Sequence, residues 1–243
     1  MRTTRVHIDL DLCCDREILL PIPQSTHLLR VLRLRVGAPL TLFNGRGGEY
    51  AAELISSGKN GARLMVRAHS PVERESSLPV TLLQGIARGD RMDVIVQKST
   101  ELGVTRIAPL SCQFSVVRLD ASTRLRRTQH WRAVAIAACE QCGRNRIPDV
   151  QPIGDLAEVC RASNEQLRLM LLPEAPESLA DLAAGARTVA LLVGPEGGLS
   201  GREQLLAQSS GFRPCRLGPR ILRTETAPVA ALAALQAMAG DLR

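Results

Sequence analysis

The 243-residue sequence predicts an α/β protein in which a small β-barrel or sandwich precedes a mainly parallel sheet. Three observations lead to this prediction. The first seventy residues contain short extended runs separated by Gly-rich turns. From Val80 onward, short apolar runs alternate with helical patterns, as in a parallel α/β sheet. Between the two regions, residues 70–79 are polar and contain Pro71 and Pro79, so we expect domains over residues 1–72 and 73–243.

The N-terminal region predicts one short helix and three strands. The helix covers residues 25–32 and has a Ser or Thr available as its cap. The strands cover residues 40–43, 50–54 and 62–68. Residues 44–48 join the first two strands with Asn and Gly, which tolerate a positive φ.

The C-terminal region predicts alternating strands and helices. Ser200 and Glu203 form a capping box that begins one helix, while Pro228 and Gly240 lie at the start and just past the end of the last one. The predicted strands are 80–84, 104–110, 167–172, Val189–Val193 and 215–217, and the predicted helices are 92–102, Ala121–Cys142, the helix after Ser200, and 226–238.

The composition is basic and poor in aromatic residues. There are 31 Lys plus Arg against 24 Asp plus Glu, a net charge of +7, and only five residues are Phe, Tyr or Trp. This balance fits a polyanionic partner, but the lack of aromatics disfavours binding by base stacking. No apolar run is long enough for a membrane helix, no signal-peptide core is legible, and the seven cysteines are scattered. We therefore expect a cytoplasmic protein without a membrane partner.

Two loops rich in Gly and Pro are the best candidates for chemistry. Residues 193–200 join a buried strand to a capped helix, and residues 217–227 again connect a short strand to a helix. Ligands bind at such strand ends in α/β sheets, so the two loops could form one pocket. Neither loop is a P-loop or a dinucleotide fingerprint. Ordinary strand-to-helix turns are the alternative interpretation.

A Cys-x-x-Cys pair, Cys139 and Cys142, lies within an Arg-rich stretch. Structural zinc needs four ligands, and no second pair or suitable His spacing is present, so we expect no metal. Residues 118–146 contain seven Arg against two acidic residues. Guanidinium groups bind phosphate oxygens well, although a solvated helix face is the alternative.

Six ordered blocks of the chain resemble a known family, the RsmE-type ribosomal RNA methyltransferases of the SPOUT class. The blocks are residues 27–33, 43–47, 97–104, 137–146, 194–200 and 217–227. The most specific are Gly-Pro-Glu-Gly-Gly at 194–198 and Leu-Arg-Thr-Glu-Thr-Ala at 222–227. The resemblance implies a trefoil-knotted α/β methyltransferase domain preceded by a PUA-like β-barrel. It also implies S-adenosylmethionine as the methyl donor, N3 of a uridine in 16S ribosomal RNA of the small subunit as the acceptor, and a homodimer.

The resemblance implies the cofactor-binding residues, whereas the catalytic and RNA-binding candidates are our hypothesis from the needs of the reaction and from the distribution of charge. The catalytic candidates are Arg223, which would stabilise the uridine anion or orient the base, and Glu225, which would hold Arg223 or accept the N3 proton. Cofactor binding falls to Leu172, Gly194, Pro195, Glu196, Gly197, Leu217, Gly218, Ile221, Leu222, Thr224, Thr226 and Ala227. RNA phosphates would be bound by Arg2, Arg5, Arg30, Arg33, Arg46, Arg144 and Arg146.

Two other functions remain open at this point. The chain could methylate a different RNA site, including one in transfer RNA, or it could be a non-catalytic RNA-binding factor. The intact pair of Gly/Pro loops disfavours the second alternative, because a binding factor has no use for a cofactor pocket. A nucleotide-dependent dehydrogenase lacks its fingerprint.

Overall fold

The computed structural model describes residues 3–59, 61–115 and 120–242, which form two compact units. The first unit contains the residues up to Glu75 together with Cys139–Ile147, and the second contains Ser76–Ala138 and the chain from Pro148 onward. The boundary after Glu75 lies within the polar segment predicted at 70–79. The return of Cys139–Ile147 to the first unit has no counterpart in the sequence prediction.

The first unit is built on a five-stranded sheet in the part of the chain that is described. The β1–β3 pair is parallel, and the other pairs are antiparallel. Along the fifth strand Ala62, Leu64 and Val66 are buried at every second position, because alternate side chains of a strand face opposite sides. The strands are β1 (Thr4–His7), β2 (Glu17–Leu19), β3 (Pro39–Phe43), β4 (Glu49–Gly58) and β5 (Gly61–Ser70), in the order β1-β3-β4-β5-β2.

The predicted N-terminal helix begins earlier than expected. Helix α1 covers Ile22–Thr26 and continues as a π-helical segment, His27–Val31. Pro21 is the N-cap residue, so the prediction that a Ser or Thr at the start of 25–32 caps this helix was wrong. Ser25 instead lies inside α1, where its Oγ donates to the Leu20 carbonyl oxygen and accepts from the Ala62 backbone N–H. Its hydroxyl thus ties the helix to β5.

The second unit contains a seven-stranded sheet among its described residues, and every pair in it is parallel. The predicted mainly parallel α/β architecture is confirmed. The strands are β6 (Val80–Gly85), β7 (Arg106–Ser111), β8 (Asp149–Val150), β9 (Gly154–Asp155), β10 (Leu167–Leu171), β11 (Val189–Val193) and β12 (Arg213–Cys215), in the order β12-β10-β11-β6-β7-β8 with β9 beside β7.

The helices of the second unit follow the prediction in most places. Their bounds are α2 (Arg91–Glu101), α3 (Ala121–Cys142), α4 (Leu156–Ala162), α5 (Leu179–Ala183), α6 (Gly201–Ser209) and α7 (Thr226–Ala239). Helix α3 has the predicted bounds, and its last turn is counted with the first unit. The capping box of Ser200 and Glu203 is present at the start of α6. Helices α4 and α5 were not predicted.

The strand order determines where a ligand can bind. Strand β11 lies between β10 and β6, and Val193 pairs with Gln84 near the carboxyl ends of β11 and β6. Because parallel strands end at the same edge of a sheet, the loops that follow β10, β11 and β12 are brought together there. Both Gly/Pro loops leave the sheet at this edge.

Candidate functional site

A cavity of about 670 Å³ lies at this edge of the second unit. Three loops form it: the one after β10, residues 194–199 after β11, and residues 217–225 after β12, with Arg91 of α2 and Ala227 of α7 added. The lining includes the proposed reacting pair, Arg223 and Glu225. Of the predicted cofactor residues, the cavity is lined by Leu172, Gly194, Pro195, Glu196, Gly197, Leu217, Ile221, Leu222, Thr224 and Ala227.

Two predicted cofactor residues, Gly218 and Thr226, do not line the cavity. Gly218 has φ +71°, so it supplies the left-handed backbone that turns the chain after β12. Thr226 is the first residue of α7, and its backbone N–H donates to the carbonyl oxygen of Arg223 at 2.9 Å. Both residues shape the loop that carries the lining residues.

Close backbone packing holds the 194–198 loop in place. The backbone N–H of Gly198 donates to the Pro195 carbonyl oxygen at 2.8 Å. A Cβ atom on Gly194 would lie 3.0 Å from the carbonyl carbon of Gly198. A Cβ atom on Gly85, at the end of β6, would lie 2.6 Å from the backbone nitrogen of Pro195. The loop can lie this close to β6 because Gly85 has no side chain, and the absence of a side chain at Gly194 lets the loop pack tightly on itself.

Gln84 is a site residue that sequence reasoning missed. Its side chain is completely buried at the end of β6, and its Nε2 donates to the Gly85 carbonyl oxygen at 2.9 Å and lies 3.4 Å from Thr224 Oγ1. Its Oε1 atom is buried and has no hydrogen-bond partner among the described residues. A glutamine at the end of the apolar run 80–84 was the available signal, because buried polar groups in strands need partners.

Arg91 is a second missed residue, and it places a positive charge beside two carboxylates. Its Nη1 donates to Glu196 Oε1 at 2.6 Å, and its Nε lies 3.7 Å from Glu225 Oε2. The backbone N–H of Arg88 also donates to Glu196 Oε1, at 2.9 Å. Burial raises the pKa of Glu196, but the donors on Arg88 and Arg91 outweigh it, so the pKa lies below its usual value.

The two catalytic candidates do not pair with each other. Glu225 is the N-cap residue of α7, but its side chain makes no capping hydrogen bond, and its Oε2 is a buried atom without a hydrogen-bond partner among the described residues. Its ion pair is with Arg91. Arg223 is exposed and forms no ion pair with Glu225. The expectation that Glu225 holds Arg223 was therefore wrong, whereas Glu225 remains a candidate proton acceptor.

Four of the predicted RNA-binding arginines are exposed in the first unit: Arg30, Arg33, Arg46 and Arg146. Arg33 has φ +52°, a backbone conformation that residues other than Gly, Asn and Asp rarely adopt. Arg46 forms ion pairs with Asp9 and Asp11, and Arg146 lies 3.8 Å from Glu73. Arg2 and Arg118 lie outside the described residues.

Two other predicted RNA-binding arginines, Arg5 and Arg144, have side chains that are largely enclosed by other residues of the first unit. The Arg144 guanidinium donates to Glu75 Oε2 at 2.5 Å, and its side chain is only 5% exposed. Arg5 is 7% exposed; it donates to Glu49 at 2.5 Å and to Asn145 Oδ1 at 2.6 Å. A buried cation requires such partners. Arg5 thus joins β1 to Asn145 and to Glu49 of β4, and Arg144 joins the Cys139–Ile147 segment to Glu75.

The Cys-x-x-Cys pair belongs to the same segment, with Cys139 buried and Cys142 partly buried. Cys139 is buried and its Sγ donates to the Arg146 carbonyl oxygen at 3.6 Å. Burial raises the pKa of Cys139 to about 12, so it is a neutral thiol at physiological pH. No group of three or more His, Cys, Asp or Glu residues arranged to bind a metal is found within residues 3–59, 61–115 and 120–242. Over the same residues, no helix is long and apolar enough to cross a bilayer.

Each of the two units contains residues that match a family of known proteins. Residues 74–236 match the family model of an RNA methyltransferase domain, and residues 23–64 match that of an RNA methyltransferase PUA domain. The chain is 32% identical over 242 residues to ribosomal RNA small subunit methyltransferase E of Buchnera aphidicola, covering 99% of this chain and 98% of that protein. The chain belongs to the ribosomal RNA small subunit methyltransferase E family. The Bacillus subtilis member is 31% identical, over 86% of this chain and 85% of its own.

Two solved structures share the fold of this chain. A putative methyltransferase from Legionella pneumophila, in complex with the cofactor S-adenosylmethionine, is 38% identical and superposes with a TM-score of 0.97 over all of both chains. A ribosomal RNA small subunit methyltransferase E from Neisseria gonorrhoeae bound to S-adenosylmethionine is 37% identical, with a TM-score of 0.92 over all of both chains. The predicted fold class, an α/β SPOUT-type domain after a PUA-like domain, is confirmed.

Proposed function

We propose that this protein methylates N3 of a uridine in 16S ribosomal RNA of the small subunit, with S-adenosylmethionine as the methyl donor. The single observation that supports this most is the cavity at the carboxyl ends of β10, β11 and β12, where the two Gly/Pro loops and the candidate reacting groups come together. Relatives of this chain carry the name ribosomal RNA small subunit methyltransferase E, and two solved relatives hold S-adenosylmethionine.

The residues of the cavity fit this cofactor. A volume of about 670 Å³ lies within the range of roughly 300–1,000 Å³ that small-molecule sites occupy. Leu172, Ile221 and Leu222 offer apolar surface to an adenine ring, while Gly194 and Gly197 allow a ligand to approach the backbone closely. Bound there, S-adenosylmethionine would supply an electrophilic methyl group.

The reaction requires one proton to leave the uridine. N3 of uridine is protonated at neutral pH, and its lone pair must attack the methyl carbon. In our proposal the carboxylate of Glu225, which lines the cavity, accepts that proton. Arg223, exposed at the rim, stabilises the negative charge that develops on the uridine oxygens. The new bond joins N3 to the methyl carbon, and the bond that breaks is between that carbon and the donor sulfur.

Binding of the ribosomal substrate is assigned to the first unit. Arg30, Arg33, Arg46 and Arg146 present exposed guanidinium groups that suit RNA phosphates. The protein has few aromatic side chains, so affinity would come from phosphate contacts rather than base stacking. We further propose that the enzyme is a homodimer with a trefoil-knotted methyltransferase domain, and that it acts in the cytoplasm during ribosome biogenesis.

The decisive experiment is methyl transfer from labelled S-adenosylmethionine. Intact small ribosomal subunits, bare 16S RNA and transfer RNA are offered in parallel, and the modified base is identified by mass spectrometry. The proposal expects 3-methyluridine in 16S RNA. Methylation of another base or of transfer RNA would overturn the uridine-N3 proposal and favour the alternative, a methyltransferase that acts on a different RNA site. No calorimetric binding of S-adenosylmethionine would favour the non-catalytic RNA-binding factor.

A further inference from the structure

Arg91 contacts carboxylates from two different loops of the cavity. Its Nη1 lies 2.6 Å from Glu196 Oε1 in the loop after β11, and its Nε lies 3.7 Å from Glu225 Oε2 at the start of α7. All three residues line the cavity. Glu196 belongs to a predicted cofactor loop, and Glu225 is the candidate proton acceptor. One guanidinium group therefore touches both the cofactor-binding and the reacting parts of the site.

The position of Arg91 argues against a role in helix stability. It is the first residue of α2, directly after the N-cap residue Asp90. The positive end of the helix dipole disfavours a cation at this position. Its side chain is 40% exposed, and ion pairs this accessible contribute little to folding. The contacts of Arg91 therefore matter more for the placement of its two carboxylate partners than for the stability of α2.

The ionic contacts of Arg91 define where the two carboxylates lie. Glu196 is held from two sides, by Arg91 and by the backbone N–H of Arg88. Glu225 makes no capping hydrogen bond, and the cation beside its buried Oε2 atom is Arg91, whose Nε lies 3.7 Å away. Movement of the Glu196 loop would shift Arg91, and Arg91 would in turn shift the carboxylate of Glu225.

We propose that Arg91 is a positioning residue that couples the Glu196 loop to Glu225, so that cofactor binding at one loop and proton acceptance at the other require the same arrangement. This inference rests on the proposed methyl transfer. Glu196 then acts mainly on cofactor affinity, Glu225 mainly on the rate of transfer, and Arg91 on both. Arg91 itself touches neither the base nor the methyl group in this scheme.

Double-mutant cycles in the full-length protein test the coupling. The single variants are R91Q, R91K, E196Q and E225Q, and R91Q is combined with each Glu variant. Calorimetry measures the Kd for S-adenosylhomocysteine, and single-turnover assays on small subunits measure the rate of methyl transfer. We expect R91Q to weaken binding and slow transfer by about tenfold each. Adding R91Q to E225Q should not slow transfer further, and adding it to E196Q should not weaken binding further.

Arg106 provides the matched control. It begins β7 at the opposite end of the strands and forms an exposed ion pair with Asp149, so R106Q removes one positive charge from the same unit without touching the cavity. R106Q should bind and react as the wild type does. R91K keeps the positive charge but loses the guanidinium that can contact two carboxylates, so its binding and transfer rate should lie between those of R91Q and the wild type. If R91Q lowers the Tm, the comparison of R91K with the wild type tests the coupling instead.

Distinct results overturn the two proposals. An R91Q variant that matches the wild type in both measurements, or losses that add fully in both cycles, would overturn the coupling while leaving methyl transfer intact. A wild-type protein that neither binds S-adenosylhomocysteine nor transfers a methyl group would overturn the proposed function, and the role of Arg91 with it.

Discussion

Thr224 Oγ1 donates a hydrogen bond of 2.9 Å to the carbonyl oxygen of Gly194. The bond joins the loop after β12 to the loop after β11, and the Thr224 side chain is buried at the cavity. Gln84 Nε2 lies 3.5 Å from the same carbonyl oxygen and 3.4 Å from the hydroxyl, so the end of β6 takes part in the same small network. The two Gly/Pro loops are thus held together by polar contacts that the sequence pattern alone does not reveal.

Replacing Thr224 by Val should loosen the cavity. The substitution keeps the shape of the side chain but leaves the Gly194 carbonyl oxygen without its shortest donor in a buried position. Losing such a bond costs about 1–3 kcal/mol, so we expect S-adenosylmethionine to bind about tenfold more weakly in calorimetry. T224S retains the hydroxyl and serves as the control. Equal affinities of T224V and the wild type would show that this bond does not organise the site.

Replacing Gly194 by Ala should also impair cofactor binding. The new Cβ would lie 3.0 Å from the carbonyl carbon of Gly198, and backbone atoms cannot move aside as a flexible side chain can. We expect a loss of at least tenfold in S-adenosylmethionine affinity, measured by calorimetry, and a lower rate of methyl transfer. G201A is the matched control, because a Cβ on Gly201 at the start of α6 meets open space. Comparable affinities for the two variants would contradict the close-packing argument.

Glu225→Gln tests the proposed proton acceptor. The amide keeps the size of the side chain but cannot take up the N3 proton. General-base catalysis contributes about 10²–10⁴-fold, so the single-turnover rate should fall by at least about a hundredfold while the Kd for S-adenosylmethionine stays near the wild-type value. A rate that is unchanged across the pH range would exclude Glu225 as the base.

Arg144→Met should destabilise the first unit. The variant leaves Glu75 without its 2.5 Å partner in a largely buried setting, and removing one member of such a pair costs about 3 kcal/mol. Hydrogen exchange of the β4 and β5 amides should become faster accordingly. R63Q breaks an exposed ion pair with Glu17 and should change the free energy of unfolding by no more than about 0.5 kcal/mol. Undiminished protection in R144M would show that the pair contributes nothing.

Replacing Arg30 and Arg33 together by Gln should weaken binding to 16S RNA and flatten its salt dependence. Each phosphate contact contributes nearly one unit to the slope of log K against log salt concentration, so the slope should fall by about one to two units. The measurement is a filter-binding titration at several salt concentrations. R187Q removes an exposed charge from the second unit and should leave the slope unchanged. A slope unaffected by the double substitution would remove these arginines from the RNA contact.

Local chemistry explains which features could be predicted from the sequence. Helix α3 ends where the sequence predicted because Gly143, with φ +95°, follows its last residue. The start of α6 could be predicted because Ser200 and Glu203 accept hydrogen bonds from backbone N–H groups within one turn of each other. The two Gly/Pro loops were legible because only a few residue types adopt such tight backbone paths. Each of these signals is confined to a few neighbouring residues.

The features that sequence reasoning missed depend on partners far along the chain. From the sequence alone an arginine is interpreted as a surface cation. Arg144 is instead paired with Glu75, a residue 69 positions earlier in the chain. The role of Arg91 could not be predicted either, because the fold alone brings Glu196 and Glu225 beside it. The location of the cavity could be predicted, whereas the polar contacts that hold it together could not.

The return of Cys139–Ile147 to the first unit has a practical consequence for dissecting the protein. A fragment that starts at Ser76 would include this segment but lack Arg5 and Glu75, the partners of Asn145 and Arg144. It would remove the Glu75 carboxylate from the largely buried Arg144 guanidinium, and losing one member of such a pair destabilises the remaining charge. Separate expression of the two units therefore calls for a cut on each side of 139–147 with a short Gly/Ser bridge, rather than a single break after Glu75.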